Sequence, residues 1–177
     1  MRFVRFALLM VVGCLLLSTT PSFAADADGN TTMDRAQTAY ERALTHYHDG
    51  RLGEAAGLLR GFLVSHSDSP LVFDAYRTLA AIHTARDEAP QALDYLAKLP
   101  ALQRQPADNL LAGQLQIRSG DVANGVTLLM GLPVDELTLP ERQQRLLLLA
   151  AGLAEQGQPQ TALYWLYQAL QIEGKLH

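Results

Sequence analysis

Residues 43–59 read ALTHYHDGRLGEAAGLL, and the same frame returns three times: AAIHTARDEAPQALDYL at 80–96, GQLQIRSGDVANGVTLL at 113–129 and AAGLAEQGQPQTALYWL at 150–166. Laid over one another without a gap, the four segments share columns. Each opens on a small residue (Ala43, Ala80, Gly113, Ala150) and carries a turn former in the middle (Gly50, Asp87, Gly120, Gly157). A second small residue follows (Ala55, Ala92, Gly125, Ala162), and each segment closes on leucine (Leu59, Leu96, Leu129, Leu166). The second small column recurs at intervals of 37, 33 and 37 residues. One matching column would mean little, but four columns agreeing in four units specify an internal repeat.

The columns answer a steric demand. Two helices joined by a tight turn approach closely only where both side chains at the crossing are small, and the leucine then fills the space beside the crossing. Glycine after the first helix takes the left-handed conformation that ends it. Asp87 must do this less well, because a Cβ crowds that conformation.

The register predicts helix pairs at 33–48 and 52–65, 70–85 and 89–99, 107–119 and 122–132, and 140–156 and 160–172. Ser69-Pro70 and Leu139-Pro140 put proline at helix starts, where a missing N–H costs nothing, and Thr32 or Asp34 is placed to cap the first helix. Within the second helices, Ala55, Ala56, Leu59, Phe62 and Leu63 keep the three-four spacing of a buried stripe, as do Leu93, Leu96 and Leu99, and Val126, Leu129 and Leu132.

Ahead of the repeats, Arg2 and Arg5 precede an apolar run from Phe6 to Leu17, followed by Ser18-Thr19-Thr20-Pro21 and Ser22-Phe23-Ala24. That is the order of a secretory signal, with cleavage expected after Ala24 and no membrane span left in the mature chain. A competing reading takes Val11-Val12-Gly13-Cys14 as a lipobox, with the mature protein lipid-anchored through Cys14. The apolar Leu15-Leu16-Leu17 after that cysteine disfavours it, since a tether turns polar there. Residues 25–32 are expected to be a disordered lead-in, 33–173 the repeat domain and 174–177 a tail.

Cys14 is the only cysteine, so after cleavage behind Ala24 neither a disulfide nor a thiolate metal site can form. Loss of Arg2 and Arg5 takes the formal charge from −4 to −6, which argues against nucleic acid and anionic lipid as partners.

The frame resembles the tetratricopeptide repeat, whose pattern of about 34 residues sets small residues at the helix crossing and glycine at the turn. The resemblance covers about Met33 to Ile172. It departs from the family in lacking the early tryptophan in every unit, and the late proline appears only approximately, as Pro70, Pro100 and Pro133. It implies an all-α, right-handed α-solenoid of about four hairpins.

The link Gly61-Phe62-Leu63, Ser65-His66-Ser67-Asp68-Ser69-Pro70-Leu71 and Ala75-Tyr76 is similar to one in helical-repeat proteins of the bacterial envelope. Among these are outer-membrane assembly lipoproteins, the coiled-coil partner of the Tol-Pal system, and the repeat region of penicillin-binding-protein activators. Such proteins hold partners. The expectation is therefore a periplasmic scaffold for envelope protein partners. The alternative is an accessory or regulatory subunit of a peptidoglycan-synthesis enzyme, with this stack as docking arm.

No residues gather into a catalytic or cofactor pattern. His46 and His83 share a repeat column, but the third unit has no carboxylate there and no His-x3-His pair exists, so core or groove wall is the expected role rather than metal. Asp87-Glu88 and Asp135-Glu136 fall in linkers and read as solvated surface. In the tetratricopeptide family the first helices line the concave side, which implies a partner-binding surface of Tyr40, Tyr47, His48, Asp74, Arg77, Gln114 and Arg118, together with Gln37, Thr84, Ile117, Gln144 and Glu155.

A second candidate lies in the last helix. Ala162-Leu163-Tyr164-Trp165-Leu166-Tyr167-Gln168-Ala169-Leu170 is apolar nearly all round, where a single amphipathic helix needs one stripe. Tyr164, Trp165 and Tyr167 are therefore expected to contact a partner, a second copy or a further domain. The plainer expectation for Trp165 is packing within the fourth pair.

Overall fold

A computed structural model describes the backbone of residues 25–173 and the side chains of residues 33–172. The leader, Cys14 and the 174–177 tail lie outside the described residues. All the regular structure among the described residues is helical: α1 Ala25–His48, α2 Leu52–Ser65, α3 Val72–Ala85, α4 Ala89–Ala97, α5 Pro106–Arg118, α6 Val122–Met130, α7 Leu139–Glu155 and α8 Pro159–Glu173, with 3-10 turns at Ala101–Gln103 and Val134–Glu136. None of these helices is long and apolar enough to cross a membrane.

The turn column holds in every unit. Gly50, Gly120 and Gly157 have φ of 75°, 88° and 75°, and Asp87 alone among the described non-glycine residues joins them at 60°. After each turn residue, the next N–H reaches back to the carbonyl five residues earlier: Arg51 to His46, Glu88 to His83, Asp121 to Gln116 and Gln158 to Leu153. This six-to-one bond closes the helix end and sends the chain back along itself. Gly120→Ala or Gly157→Ala is expected to lower stability by about 1 kcal/mol through the crowded Cβ, whereas Asp87→Gly should cost nothing at the backbone. Thermal melts of the three variants check the sign.

Both small columns are buried in all four pairs: Ala43 with Ala55, Ala80 with Ala92, Gly113 with Gly125, and Ala150 with Ala162. The third crossing is the tightest. A Cβ on Gly113 would stand 2.7 Å from Leu129 Cγ, and one on Gly125 would stand 2.9 Å from the Gly113 carbonyl oxygen.

Each helix packs on the next along the chain, from α1 on α2 to α7 on α8, and α5 also touches α7. The core follows the same order in three clusters. One joins α1, α2 and α3 around Leu59 and Leu79, the next joins α3, α4 and α5 around Leu96 and Leu115, and the last runs from α5 to α8 around Leu129 and Leu149.

Several expectations are corrected. Helix α1 begins at Ala25, ahead of the expected start at Met33, and Thr32 and Asp34 lie inside the helix instead of capping it. No proline interrupts that stretch. Helix α3 begins at Val72, with Pro70 in the preceding turn. Helix α4 ends at Ala97 and α6 at Met130, because Pro100 and Pro133 restrain the residues before them and open the two 3-10 turns. Helix α7 starts at Leu139, one residue earlier than expected. Thr138 is its N-cap, and its N–H donates to Glu141 Oε2 at 2.8 Å while its hydroxyl faces the Glu141 N–H. The Thr138 hydroxyl donates to Glu141 Oε2 at 2.7 Å, and this bond, with the one from the Thr138 N–H, holds the Glu141 carboxyl below its usual range.

Candidate functional site

The first-helix candidates are held by one another. Tyr40 on α1 stands 3.2 Å from Thr78 Oγ1 on α3, and its ring lies 5.8 Å from Phe62. The Thr78 hydroxyl gives its hydrogen to the Asp74 carbonyl at 2.8 Å, so the phenol is the donor between them. Burial pushes the Tyr40 phenol above its ordinary value of 10.0.

A raised folded value means that this contribution to stability is complete below the ordinary value and is lost as pH climbs through the higher one. Tyr40→Phe is expected to cost about 1 kcal/mol at neutral pH. An ultraviolet alkaline titration should show a late-ionising component that is lost in the variant.

Arg77 on α3 braces α5. Its Nε donates to both carboxylate oxygens of Asp108 at 3.1 Å, its Nη1 to Asp74 Oδ1 at 2.9 Å and its Nη2 to the Gln103 carbonyl. Asp108 is buried and also accepts the Gln105 N–H at 2.9 Å, capping α5. Gln144 on α7 donates to Gln114 on α5 at 3.1 Å, and Arg118 at the end of α5 pairs with Asp87.

These four links span 30 to 38 residues each, one repeat length. Polar groups expected to face a partner are thus spent between consecutive hairpins. Tyr47 is half-buried against the first core cluster, and exposed His48 lies 5.5 Å from it.

Ile117 is a correction. It is buried, and its Cγ1 would stand 2.7 Å from a Cβ on Gly125, so it belongs to the third crossing and not to an inward surface. Exposed Gln37 donates to Glu41 on its own helix, and the Thr84 hydroxyl donates to the Ala80 carbonyl. Gln144 and Glu155 are exposed.

Each histidine of the shared column has a carboxylate beside it: His83 Nδ1 shares a hydrogen bond of 2.6 Å with Glu88, whereas His46 Nδ1 lies 2.8 Å from Glu54 on α2 without hydrogen-bond geometry. The His83 ring stacks on Tyr95 with centroids 5.3 Å apart, and its Nε2 is buried without a partner, closed to any substrate. Among the described residues no three metal-ligating side chains converge.

Arg145, which the sequence did not single out, is buried on α7 and donates to the last carbonyls of α6, Leu129 at 2.6 Å and Met130 at 3.3 Å. Burial lowers its pKa. A cation at a helix C-terminus is favourable there, where carbonyls lack helical partners.

The C-terminal helix differs from all of this. Leu163, Tyr164, Leu166, Tyr167 and Leu170 of α8 are exposed together. At i, i+3, i+4 and i+7, Leu163, Leu166, Tyr167 and Leu170 form one stripe. Trp165 is half-buried on the last core cluster, edge-on to Tyr164 at 5.4 Å, with its Nε1 buried and unpartnered. Trp165 therefore packs on the last core cluster, and the two tyrosines lie on the surface.

The leucine column breaks here for a visible reason. Leu129 is 0% exposed because α7 covers it, whereas Leu166 in the same column is 40% exposed; one residue after the crossing, Val126 is 5% exposed and Leu163 65%. Comparison of the chain with family models and with curated proteins returned no match.

Proposed function

We propose that this chain is an exported, non-catalytic protein-interaction scaffold of the bacterial envelope, built as a right-handed solenoid of four tetratricopeptide-like hairpins. Three observations support the stack. The core is strung out in chain order, the four turns repeat one conformation, and the inter-hairpin bonds each span one repeat. The observation that carries binding is the stripe on α8, since a monomer rarely leaves contiguous apolar surface that no partner uses.

In this reading the partner-contacting residues are Tyr164 and Tyr167 with the leucines beside them. The first-helix surface from Tyr40 to Arg118 holds the hairpins in register. The accessory-subunit reading has its support in the link around Phe62 and Tyr76.

A photo-reactive amino acid at position 167, introduced in the native host, tests the surface. A discrete crosslinked species is expected there and none from position 42 on exposed Arg42 of α1. No adduct from 163 or 167, or equal labelling from 42, would remove the reading. The mass of the mature N-terminus tests export: a free Ala25 supports cleavage, and a diacylglyceryl Cys14 replaces it with the anchored form.

A further inference from the structure

Resting on the reading of α8 as the binding face, we infer that its occupant is a second copy of this chain, packed α8 against α8 about a two-fold axis. The two ends of the stack are chemically unlike. Where α7 meets α6, the contacts come from Arg145, whose Nε reaches the Leu129 carbonyl, and from Gly152, where a Cβ would stand 2.6 Å from Val126 Cγ2. In α7 these columns, with the one between them, hold Arg145, Leu149 and Gly152, all buried; in α3 they hold Ala75, Leu79 and Ile82, also buried. In α1 the same columns hold Thr38, Arg42 and Thr45, all exposed.

These α1 columns are therefore polar, as the outer columns of an end unit are. Among the described residues these three columns offer no apolar side chain to receive Leu163 and Leu166. Head-to-tail growth, in which α1 of one copy would cover α8 of the next, is disfavoured by this mismatch.

What fits α8 must be apolar and without charge, and α8 itself meets both conditions. From Pro159 to Ile172 the helix has no Asp, Glu, Lys or Arg, in a chain of net charge −4. Two copies can close on this face without opposing like charges, although the molecules as wholes repel. A charged partner would find nothing here to pair with. An isologous contact also closes on itself, leaving no second apolar face to recruit further copies.

Sedimentation velocity of the purified protein across micromolar concentrations is the test. A species of twice the chain mass is expected, with no larger series. Leu163→Glu combined with Tyr167→Glu, both at exposed positions, should weaken the dimer by about tenfold or more while the thermal melt stays in place. Leu166→Cys should form an intermolecular disulfide on mild oxidation, and Arg42→Cys should not.

A monomer at every concentration overturns the inference, as does a dimer that survives the double glutamate variant or an open series abolished by Arg42→Glu. The reading beneath it fails differently. A pure monomer that still crosslinks another protein from position 167 in cells sinks the dimer alone, and a monomer with no crosslink from α8 sinks both.

Discussion

Gly125→Ala is expected to destabilise the protein by about 1–3 kcal/mol, although alanine is the better helix former by close to 1 kcal/mol. The sign is decided by what the methyl meets. It would stand 2.7 Å from Ile117 Cγ1, 2.9 Å from the Gly113 carbonyl oxygen and 3.1 Å from the Ile117 nitrogen. A side chain can rotate away, but two of these atoms are backbone of the facing helix, so α5 and α6 must separate. Separation lifts Leu129 off Gly113 and loosens the last core cluster.

Gly125→Val should go further and melt the third hairpin. Gly57→Ala is the control, since nothing lies within 4 Å of its Cβ position, and it should be neutral or stabilising. Urea titration of the three variants gives the comparison. If Gly125→Ala matched Gly57→Ala, close approach would not be what selects glycine at 125.

Leu129→Ala and Leu166→Ala occupy one column and should differ several-fold. Leu129 is fully buried between α5, α6 and α7, and its truncation is expected to cost about 2–5 kcal/mol. Leu166 stands at the open face, and in the monomer its truncation should cost less than about 1 kcal/mol. Leu59→Ala, also fully buried, should follow Leu129. Equal losses at 129 and 166 would mean that α8 is covered in the isolated chain, and the account of the terminal face would fall.

The all-helical build and its turns were legible because close helix approach imposes small side chains at fixed places, and the turns impose left-handed backbone. Both demands leave marks on single residues: Gly113 facing Gly125, Gly50 and Gly157 at positive φ, and even Asp87 tolerating what glycine does elsewhere. Helix starts were less legible. Thr138 and Glu141 form a capping box readable at their spacing, whereas Gln105 capping α5 through Asp108 is an unusual choice.

The site was half legible. Apolar residues around α8 announced a face needing cover, since periodicity alone counts stripes. The sequence could not show that Arg77, Gln114 and Arg118 spend their polar groups on the neighbouring hairpin, because the partners lie a repeat away in the chain. Nor could it separate Trp165, turned into the core, from Tyr164 beside it. Adjacent residues on a helix point about 100° apart, and which of two apolar faces lies inward depends on the crossing with α7.

The stack itself is tested most directly by distances between spin labels placed one residue before each turn residue, at positions 49, 86, 119 and 156. Those sites are exposed and lack the positive φ of the turn column, so labels there should disturb neither the turns nor the crossings. With hairpins added along one axis at roughly 10 Å per packed helix layer, the separation from 49 should rise stepwise to 86, 119 and 156. A distance from 49 to 156 no longer than that from 49 to 86 would show the hairpins folded back into one bundle, and would contradict the stack.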